Sequence, residues 1–374
     1  MNKTKKSLLI LFLIFILFFN RNVLAESNSV QVQDSLQQVL DNKMSELELY
    51  GIQAALRSGD FYWEGEAGFA DSAQEIELSQ NDIMRAGSVT KNFTAALILR
   101  LAEEGKISLD NRLSKWFPEF PKSNEITLRQ LLNHSSGIYS YTENLWLTLE
   151  TALRPQKSWT PLEVLEKTYD QELYFAPGES HHYSNTNYLV LGLIAEKTTG
   201  KTLAALYRKY IFEPFELNNT YFVPYEGIPD KLITGYDRDV VPFGEHEMTA
   251  AKNGFATLGF SAGAIVSTAS DLRNWIDSLF RLDFLNKESI EEMMDYLETE
   301  GSDVKNQLGY GLGLRVLKIE EQFLYGHTGT IPGFGAAVFY CPEKDYSLAV
   351  MSNISVFDQI NVLSDLVKII NSES

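Results

Sequence analysis

Residues 88–105, with the sequence SVTKNFTAALILRLAEEG, predict the helix around which the rest of the chain is arranged. The segment begins with a serine and ends with a glycine, residues that commonly start and stop helices. Its middle part, residues 93–101, is apolar on nearly every side. Because a helix without a polar face is stable only when other elements surround it, we expect this helix to run through the centre of the protein.

Strand patterns lie on both sides of this predicted helix along the chain. Residues 51–56 and 61–69 alternate in polarity around the turn signal Ser58-Gly59-Asp60. Further strand patterns, joined by short turns, follow late in the chain at 312–319, 323–327, 335–341 and 346–351. Short joins between consecutive strands predict antiparallel pairing, so both ends of the chain are expected to contribute to one sheet.

Helical patterns occupy much of the remaining chain. They begin at 31–49, close the chain at 356–370, and dominate its middle together with turn signals. We therefore predict a sheet domain formed by 26–105 and 245–374, with a mainly helical domain, 106–244, inserted between its two halves.

Ser88 and Lys91 stand at the start of the predicted central helix, where positions three apart share a face. A serine hydroxyl is a poor nucleophile unless a base activates it. A lysine in poorly solvated surroundings loses its charge more easily, so it can be that base or can change the pKa of another. The spacing predicts Ser88 as a nucleophile assisted by Lys91. Ser302 and Lys305 share this spacing but lie in a polar stretch, which predicts a solvated loop.

Tyr183 and Asn185 form the only Tyr-x-Asn pattern in the chain and follow the turn signal Pro177-Gly178. A tyrosine near a lysine gives up its proton more easily and can relay a proton to a leaving group. Asparagine offers both a donor and an acceptor for a substrate amide. A loop tyrosine beside a turn asparagine is the alternative interpretation.

His327, Thr328 and Gly329 stand at the end of a predicted strand and are followed by Thr330. A glycine there lets a substrate backbone lie against the strand edge. The Thr328 hydroxyl and His327 can bind a carboxylate, and the N–H of Thr330 can face an oxyanion. A structural histidine at a strand end is the alternative interpretation.

In this order, the three motifs resemble the serine penicillin-recognising enzymes, which carry Ser-x-x-Lys, Tyr-x-Asn and Lys/His-Thr-Gly. The segments 126–138 and 261–272 are similar to segments of the class C β-lactamase-like branch. The resemblance implies an α/β (α+β) β-lactamase/transpeptidase-like fold, with a central antiparallel sheet flanked by helices and an inserted helical domain.

The same resemblance implies acyl-enzyme chemistry without a metal or organic cofactor. Ser88 would attack an amide or ester carbonyl, Lys91 and Tyr183 would move the protons, and the substrate would be held by Asn185, His327, Thr328, Gly329 and Thr330. The backbone N–H groups of Ser88 and Thr330 would form the oxyanion hole.

His327 stands where class C β-lactamases usually carry lysine. The histidine form is similar to exported D-alanyl-D-alanine carboxypeptidases and D-stereospecific peptidases of the same branch. A neutral imidazole binds carboxylate less strongly than an ammonium group near pH 7. The resemblance therefore implies such a peptidase, acting on a peptide or β-lactam-like small molecule. An esterase, a class C-type β-lactamase and a non-catalytic penicillin-binding-like module are the alternatives.

A different serine is offered by residues 259–263, whose sequence GFSAG matches the Gly-x-Ser-x-Gly turn of another hydrolase fold. Ser261 would then be the nucleophile, with His327 downstream and Asp283 or Asp303 between them. That turn follows a buried strand and opens a helix, and the flanking residues here have neither pattern. We therefore expect Ser88, not Ser261, to be acylated.

Residues 1–25 predict an export signal, with a basic start at 3–6, an apolar run at 8–19 and small or apolar residues at 23–25. The apolar run is shorter than a spanning helix requires. We expect removal of this segment, no stable membrane insertion afterwards, and a periplasmic or extracellular location. An uncleaved anchor is the alternative.

The charge and composition of the chain exclude several kinds of binding partner and site. A formal net charge of −18 predicts repulsion from nucleic acid and anionic lipid. The single Cys341 excludes an internal disulfide and is expected to be a packing residue. His246-Glu247 lacks the second histidine of a zinc helix, so no metal site is predicted. The sequence does not indicate an oligomeric state.

Overall fold

A sheet of nine antiparallel strands forms the centre of the computed structural model, which describes residues 30–154, 156–237, 246–248, 253–299, 301–302, 304–355 and 357–372. Numbered along the chain and given in spatial order, the strands are β3 (Ile76–Glu77), β2 (Phe61–Asp71), β1 (Gly51–Ser58), β14 (Tyr346–Ser352), β13 (Phe334–Cys341), β12 (Gln322–Ile331), β11 (Arg315–Ile319), β10 (Gln307–Tyr310) and β9 (Leu297–Glu298). β1 pairs with β14, so Ile52 lies opposite Ser352. The predicted antiparallel sheet built from both ends of the chain is confirmed.

Helices cover both faces of this sheet because its inner strands are apolar on both sides. Side chains alternate across a strand, so Ala54 and Ala55 of β1 face opposite ways. Ala54 packs in one apolar cluster with helices α1 (30–46) and α12 (Gln359–Ser372). Ala55 packs in the other with helices α2 (Thr90–Glu103) and α10 (Ala269–Phe280).

Helix α2 is buried on nearly every side, as its sequence predicted. Phe93 in its first turn stacks on Trp275 of α10, with 4.9 Å between the ring centroids. The start of the helix differs from the prediction. Residues Gly87–Val89 form a 3-10 turn and the α-helix begins at Thr90, so Ser88 stands just before the helix.

The remaining helices lie mostly between α2 and α10 along the chain. They are α3 (Leu128–Leu132), α4 (Leu145–Leu153), α5 (Pro161–Leu165), α6 (Asn185–Thr199), α7 (Leu203–Tyr207), α8 (Val223–Glu226), α9 (Asn253–Gly259) and, after α10, α11 (Lys287–Met294). In the ranges that the structure describes, no helix is both long and apolar enough to cross a bilayer. The predicted export signal, residues 1–25, lies outside these ranges.

Short strands form two small sheets among the described residues. One sheet contains β4 (Met84–Arg85), β8 (Ile265–Ser267) and β5 (Tyr221–Phe222), and the other pairs β6 (Gly235–Asp237) with β7 (His246–Met248). The sequence predicted none of the five strands in these two sheets, since strands of two or three residues are too short to show an alternating pattern. The division of the chain into two domains stays a prediction.

Candidate active site

The turn Gly87–Val89 and the first turn of α2 bring two predicted residues together. Lys91 Nζ lies 3.0 Å from Ser88 Oγ. Gly87 has a left-handed φ of 52°, and a Cβ atom there would lie 3.0 Å from the backbone nitrogen of Thr330. A glycine at position 87 therefore allows the Ser88 turn to lie against β12.

Lys91 is fully buried and its Nζ has three hydrogen-bond partners: Ser88 Oγ at 3.0 Å, Asn185 Oδ1 at 2.7 Å and the carbonyl oxygen of Ala262 at 2.8 Å. Burial lowers the pKa of Lys91 well below its usual value, and the positive charge of Arg315 lowers it further. A neutral amine donates two hydrogen bonds and accepts one. Because an amide oxygen and a carbonyl oxygen only accept, the remaining lone pair faces the hydroxyl of Ser88. This arrangement suits Lys91 to take the Ser88 proton.

Tyr183 lies beside this pair. Its ring centroid is 4.9 Å from Lys91 Nζ and 5.0 Å from Arg315 Cζ. Together with Ser88 it lines a cleft of about 580 Å³. A phenol in this position can pass a proton between the nucleophile and a leaving group.

Strand β12 forms one wall of the cleft through Thr328 and Thr330. Its described pairing with β11 ends where Arg315 lies opposite Gly326, so residues 327–331 present their edge towards the cleft. A Cβ atom at Gly329 would lie 2.0 Å from the Ala86 carbonyl oxygen and 3.0 Å from the Ser88 nitrogen. The lack of a side chain at Gly329 therefore allows β12 to contact the Ser88 turn, in addition to leaving room for the predicted substrate backbone.

His327 does not occupy the position that the sequence suggested. It is fully buried and is absent from the described cleft lining. Its Nδ1 donates to the carbonyl of Thr328, which leaves Nε2 to accept from the hydroxyl of Tyr310 at 2.9 Å. Burial lowers the pKa of His327 well below its usual value, and the charge of Arg315 lowers it further. A neutral ring with both nitrogens engaged does not favour the predicted carboxylate contact.

Arg315 is the cation that the sequence analysis missed. It stands at the start of β11, is 9% exposed, and lines the cleft with Ser88 and Thr328. One guanidinium nitrogen donates to Gln307, and its Nε has no hydrogen-bond partner among the described residues. A nearly buried guanidinium that lines the cleft is suited to bind a carboxylate. The only sequence signal was an arginine within a largely apolar strand pattern that also contains Lys318.

The cleft lining also contains an ion pair. Lys305 lines the cleft with 62% of its side chain exposed, and its Nζ is 3.7 Å from Asp358. This is the lysine of the second Ser-x-x-Lys pattern, and its exposure agrees with the predicted solvated loop.

Ser261 is not accessible as a nucleophile. It is fully buried, and its hydroxyl donates to the carbonyl of Tyr188 at 2.8 Å. Helix α9 precedes it and strand β8 follows it, which is the reverse of the strand–turn–helix order. The Gly-x-Ser-x-Gly alternative is therefore wrong. Asp283 is exposed, and Asp303 lies outside the described residues.

Two smaller predictions concern cysteine and metal. Cys341 is buried at the end of β13, as expected for a packing residue. Within the described ranges, no group of three or more His, Cys, Asp or Glu side chains is placed to hold a metal ion.

Similarity to known proteins covers most of the chain. The Beta-lactamase family model matches residues 36–364. Penicillin-binding protein 4* from Bacillus subtilis is 25% identical over 331 aligned residues, and the match covers 85% of this chain and 71% of that protein.

Solved structures are similar over a comparable length. D-amino acid amidase from Ochrobactrum anthropi, complexed with L-phenylalanine amide, aligns with a TM-score of 0.83 and 25% identity, covering 92% of this chain and 100% of that one. D-stereospecific amidohydrolase from Streptomyces sp. aligns with a TM-score of 0.79 and 29% identity, covering 91% of this chain and 98% of that one. These matches confirm the predicted fold.

Proposed function

This chain belongs to the beta-lactamase family of serine hydrolases, and from that premise we propose that it is an exported carboxypeptidase that removes D-alanine from peptides ending in D-alanyl-D-alanine. The observation that carries the proposal is Arg315, a nearly buried cation in the same cleft as Ser88. A carboxypeptidase substrate has a free carboxylate on the residue that follows the scissile bond, and a nearly buried guanidinium in the cleft lining matches that group.

The proposed reaction uses the pair described above. Lys91 takes the proton of Ser88 while Ser88 Oγ bonds to the carbonyl carbon, and the N–H groups of Ser88 and Thr330 stabilise the oxyanion. The carbon–nitrogen bond then breaks, and Tyr183 passes the proton to the amine of the departing D-alanine. Water attacks the resulting ester, which releases the shortened peptide and returns the proton to Ser88.

A D-stereospecific amidase is the second candidate. It is favoured by the similarity to the D-amino acid amidase and the D-stereospecific amidohydrolase. Its substrates carry an amide in place of the carboxylate, so Arg315 would have no anionic partner. An esterase or a class C-type β-lactamase would use the same Ser88, and fold alone does not select the substrate.

The test compares a peptide ending in D-alanyl-D-alanine with the same peptide carrying a C-terminal amide. We expect the wild type to prefer the free acid, and Arg315→Gln to raise KM for the acid by about 10- to 100-fold, since a hydrogen bond to a charged group contributes about 1.5–3 kcal/mol. The loss for the amide is expected to be much smaller. Lys318→Gln, on the same strand as Arg315 but outside the described cleft lining, is the matched control for removing a positive charge.

The nucleophile is checked separately by intact-mass spectrometry after mixing with a penicillin. A penicilloyl-sized mass gain is expected in the wild type and not in Ser88→Ala. If the amide peptide were hydrolysed as fast as the free acid or faster, and Arg315→Gln left KM unchanged, the amidase proposal would replace the carboxypeptidase proposal.

A further inference from the structure

The side chain of Asn185 is held at both ends. Its Oδ1 accepts from Lys91 at 2.7 Å, and its Nδ2 donates to Thr142 Oγ1 at 3.0 Å. Its backbone N–H donates to Ser140 Oγ at 3.1 Å, and the two hydroxyls of Ser140 and Thr142 are 2.9 Å apart. The hydroxyls of Ser140 and Thr142 therefore hydrogen-bond Asn185, while Lys91 bonds the other end of its side-chain amide.

The direction of this amide decides what Lys91 can do. The oxygen and nitrogen ends of a carboxamide have nearly the same shape, so hydrogen-bond partners determine which end faces which neighbour. With the oxygen towards Lys91, the amine donates to it and keeps its lone pair for Ser88. With the amide reversed, an N–H of Asn185 would compete with the Ser88 hydroxyl for that lone pair.

Further hydrogen bonds hold the segment that carries Ser140 and Thr142. Ser140 is buried, and its N–H donates to the Tyr174 hydroxyl at 3.0 Å. That hydroxyl donates to Glu143 Oε2 at 2.7 Å, while His182 Nε2 lies 3.0 Å from Glu143 Oε1. A continuous hydrogen-bonded chain therefore connects the loop before α4 with Asn185.

We propose that Thr142, supported by Ser140, is a positioning residue that fixes the amide of Asn185 and so keeps the lone pair of Lys91 directed at Ser88. Thr142 acts through Asn185 and needs no contact with the substrate. The inference rests on the proposed function, in which Lys91 is the base that activates Ser88.

The test is the rate of Ser88 acylation by a penicillin in Thr142→Val, followed by intact mass. Valine has the shape of threonine but accepts no hydrogen bond, so we expect acylation to slow by about 10-fold. Thr142→Ser keeps the hydroxyl and is expected to restore most of the rate. Thr151→Val is the matched control, because the Thr151 hydroxyl donates to the carbonyl of Leu147 within α4 and, among the described residues, makes no hydrogen bond to Thr142 or Asn185.

The pH profile separates positioning from a general loss of structure. A reversed amide places a donor against Lys91 and disfavours its ammonium form, so the acid limb of the acylation rate is expected to move to lower pH in Thr142→Val. The titratable groups that face Lys91 are unchanged by this substitution; they are Tyr183, Tyr188, Arg315, His134 and His327.

Acylation at the wild-type rate in Thr142→Val, or a slower rate with an unmoved acid limb, would overturn the positioning role. A loss that Thr142→Ser does not repair would also overturn it. Absence of D-alanyl-D-alanine hydrolysis with normal penicillin acylation would remove the proposed substrate and leave the Thr142 result valid. Absence of any Ser88 acylation in the wild type would overturn both proposals.

Discussion

Lys91 and His327 are two fully buried bases whose hydrogen bonds give them different tasks. Burial lowers the pKa of both, which favours the neutral form of each side chain. The lone pair of Lys91 faces the hydroxyl of Ser88, whereas that of His327 accepts from Tyr310. One side chain is therefore available as a base, and the other links two strands of the sheet.

Replacing Lys91 with Met is expected to abolish most activity and to stabilise the fold. Because burial lowers the pKa of Lys91, the unfolded state binds more protons than the folded state between the folded pKa and 10.5, and this difference favours unfolding. Methionine removes this cost, which we expect to add about 1 kcal/mol to the free energy of unfolding. The wild type regains stability as pH rises from the folded pKa towards 10.5, so the difference between the two proteins shrinks in that direction.

Urea unfolding at about pH 7 and about pH 10 measures this difference, and acylation by a penicillin measures the loss of the base, expected at about 10²- to 10⁴-fold. Lys287→Met, with 77% of the lysine side chain exposed, is the control and is expected to change stability little. A variant less stable than the wild type at pH 7 would contradict the argument that burying Lys91 costs stability.

At the scale of elements, the candidate active site forms at the contact between the turn Gly87–Val89 and strand β12. Neither element is reactive alone, because Ser88 comes from one and the exposed edge with Thr328 and Thr330 comes from the other. The contact is close enough that a side chain at Gly329 has no space. Backbone packing between two distant segments thus sets the geometry around the nucleophile.

Gly329→Ala is expected to push β12 away from the turn and to slow acylation strongly. The added methyl would sit 2.0 Å from the Ala86 carbonyl oxygen, and overpacking of this kind costs about 1–3 kcal/mol. Gly259→Ala is the control, since its nearest neighbour would be 3.5 Å away. Thermal unfolding and acylation rates of both variants check this. An alanine at 329 with unchanged rate and stability would mean that the contact is not needed.

At the scale of the whole molecule, one sheet carries both ends of the chain and places cations in a cleft of an acidic protein. The formal net charge is −18, yet Arg315 and Lys305 both line the cleft, where Asp358 is the acidic residue among the described lining. The overall field therefore repels an anionic peptide at long range, while the cleft attracts it at short range.

This opposition predicts an unusual salt response. Raising ionic strength from about 10 mM to about 150 mM shortens the Debye length from about 30 Å to about 8 Å, which screens the long-range repulsion more than the partly buried contact with Arg315. We expect kcat/KM for a peptide with a free carboxylate to rise about twofold or more. The C-terminally amidated peptide, which lacks that charge, serves as the control. A steady fall of kcat/KM for the acid would contradict the argument.

The sequence by itself determined the parts that depend on near neighbours. Ser88 and Lys91 are three positions apart and had to share a face. The apolar run of 93–101 required a surrounded helix, and alternating polarity defined the long strands of the sheet. The order of the three motifs along the chain was enough to imply the family and its fold.

Only the tertiary structure decided which side chains, remote from one another in the sequence, come into contact. Arg315 reaches the cleft because the strand register places it opposite Gly326, and a one-residue slip would turn it to the other face. His327 is fully buried, and Tyr310, on a neighbouring segment, occupies its second nitrogen. Thr142 reached Asn185 through the folding of a loop that carries no periodic pattern. Contacts between segments remote in sequence depend on packing and strand register, and patterns read along the amino-acid sequence reveal neither.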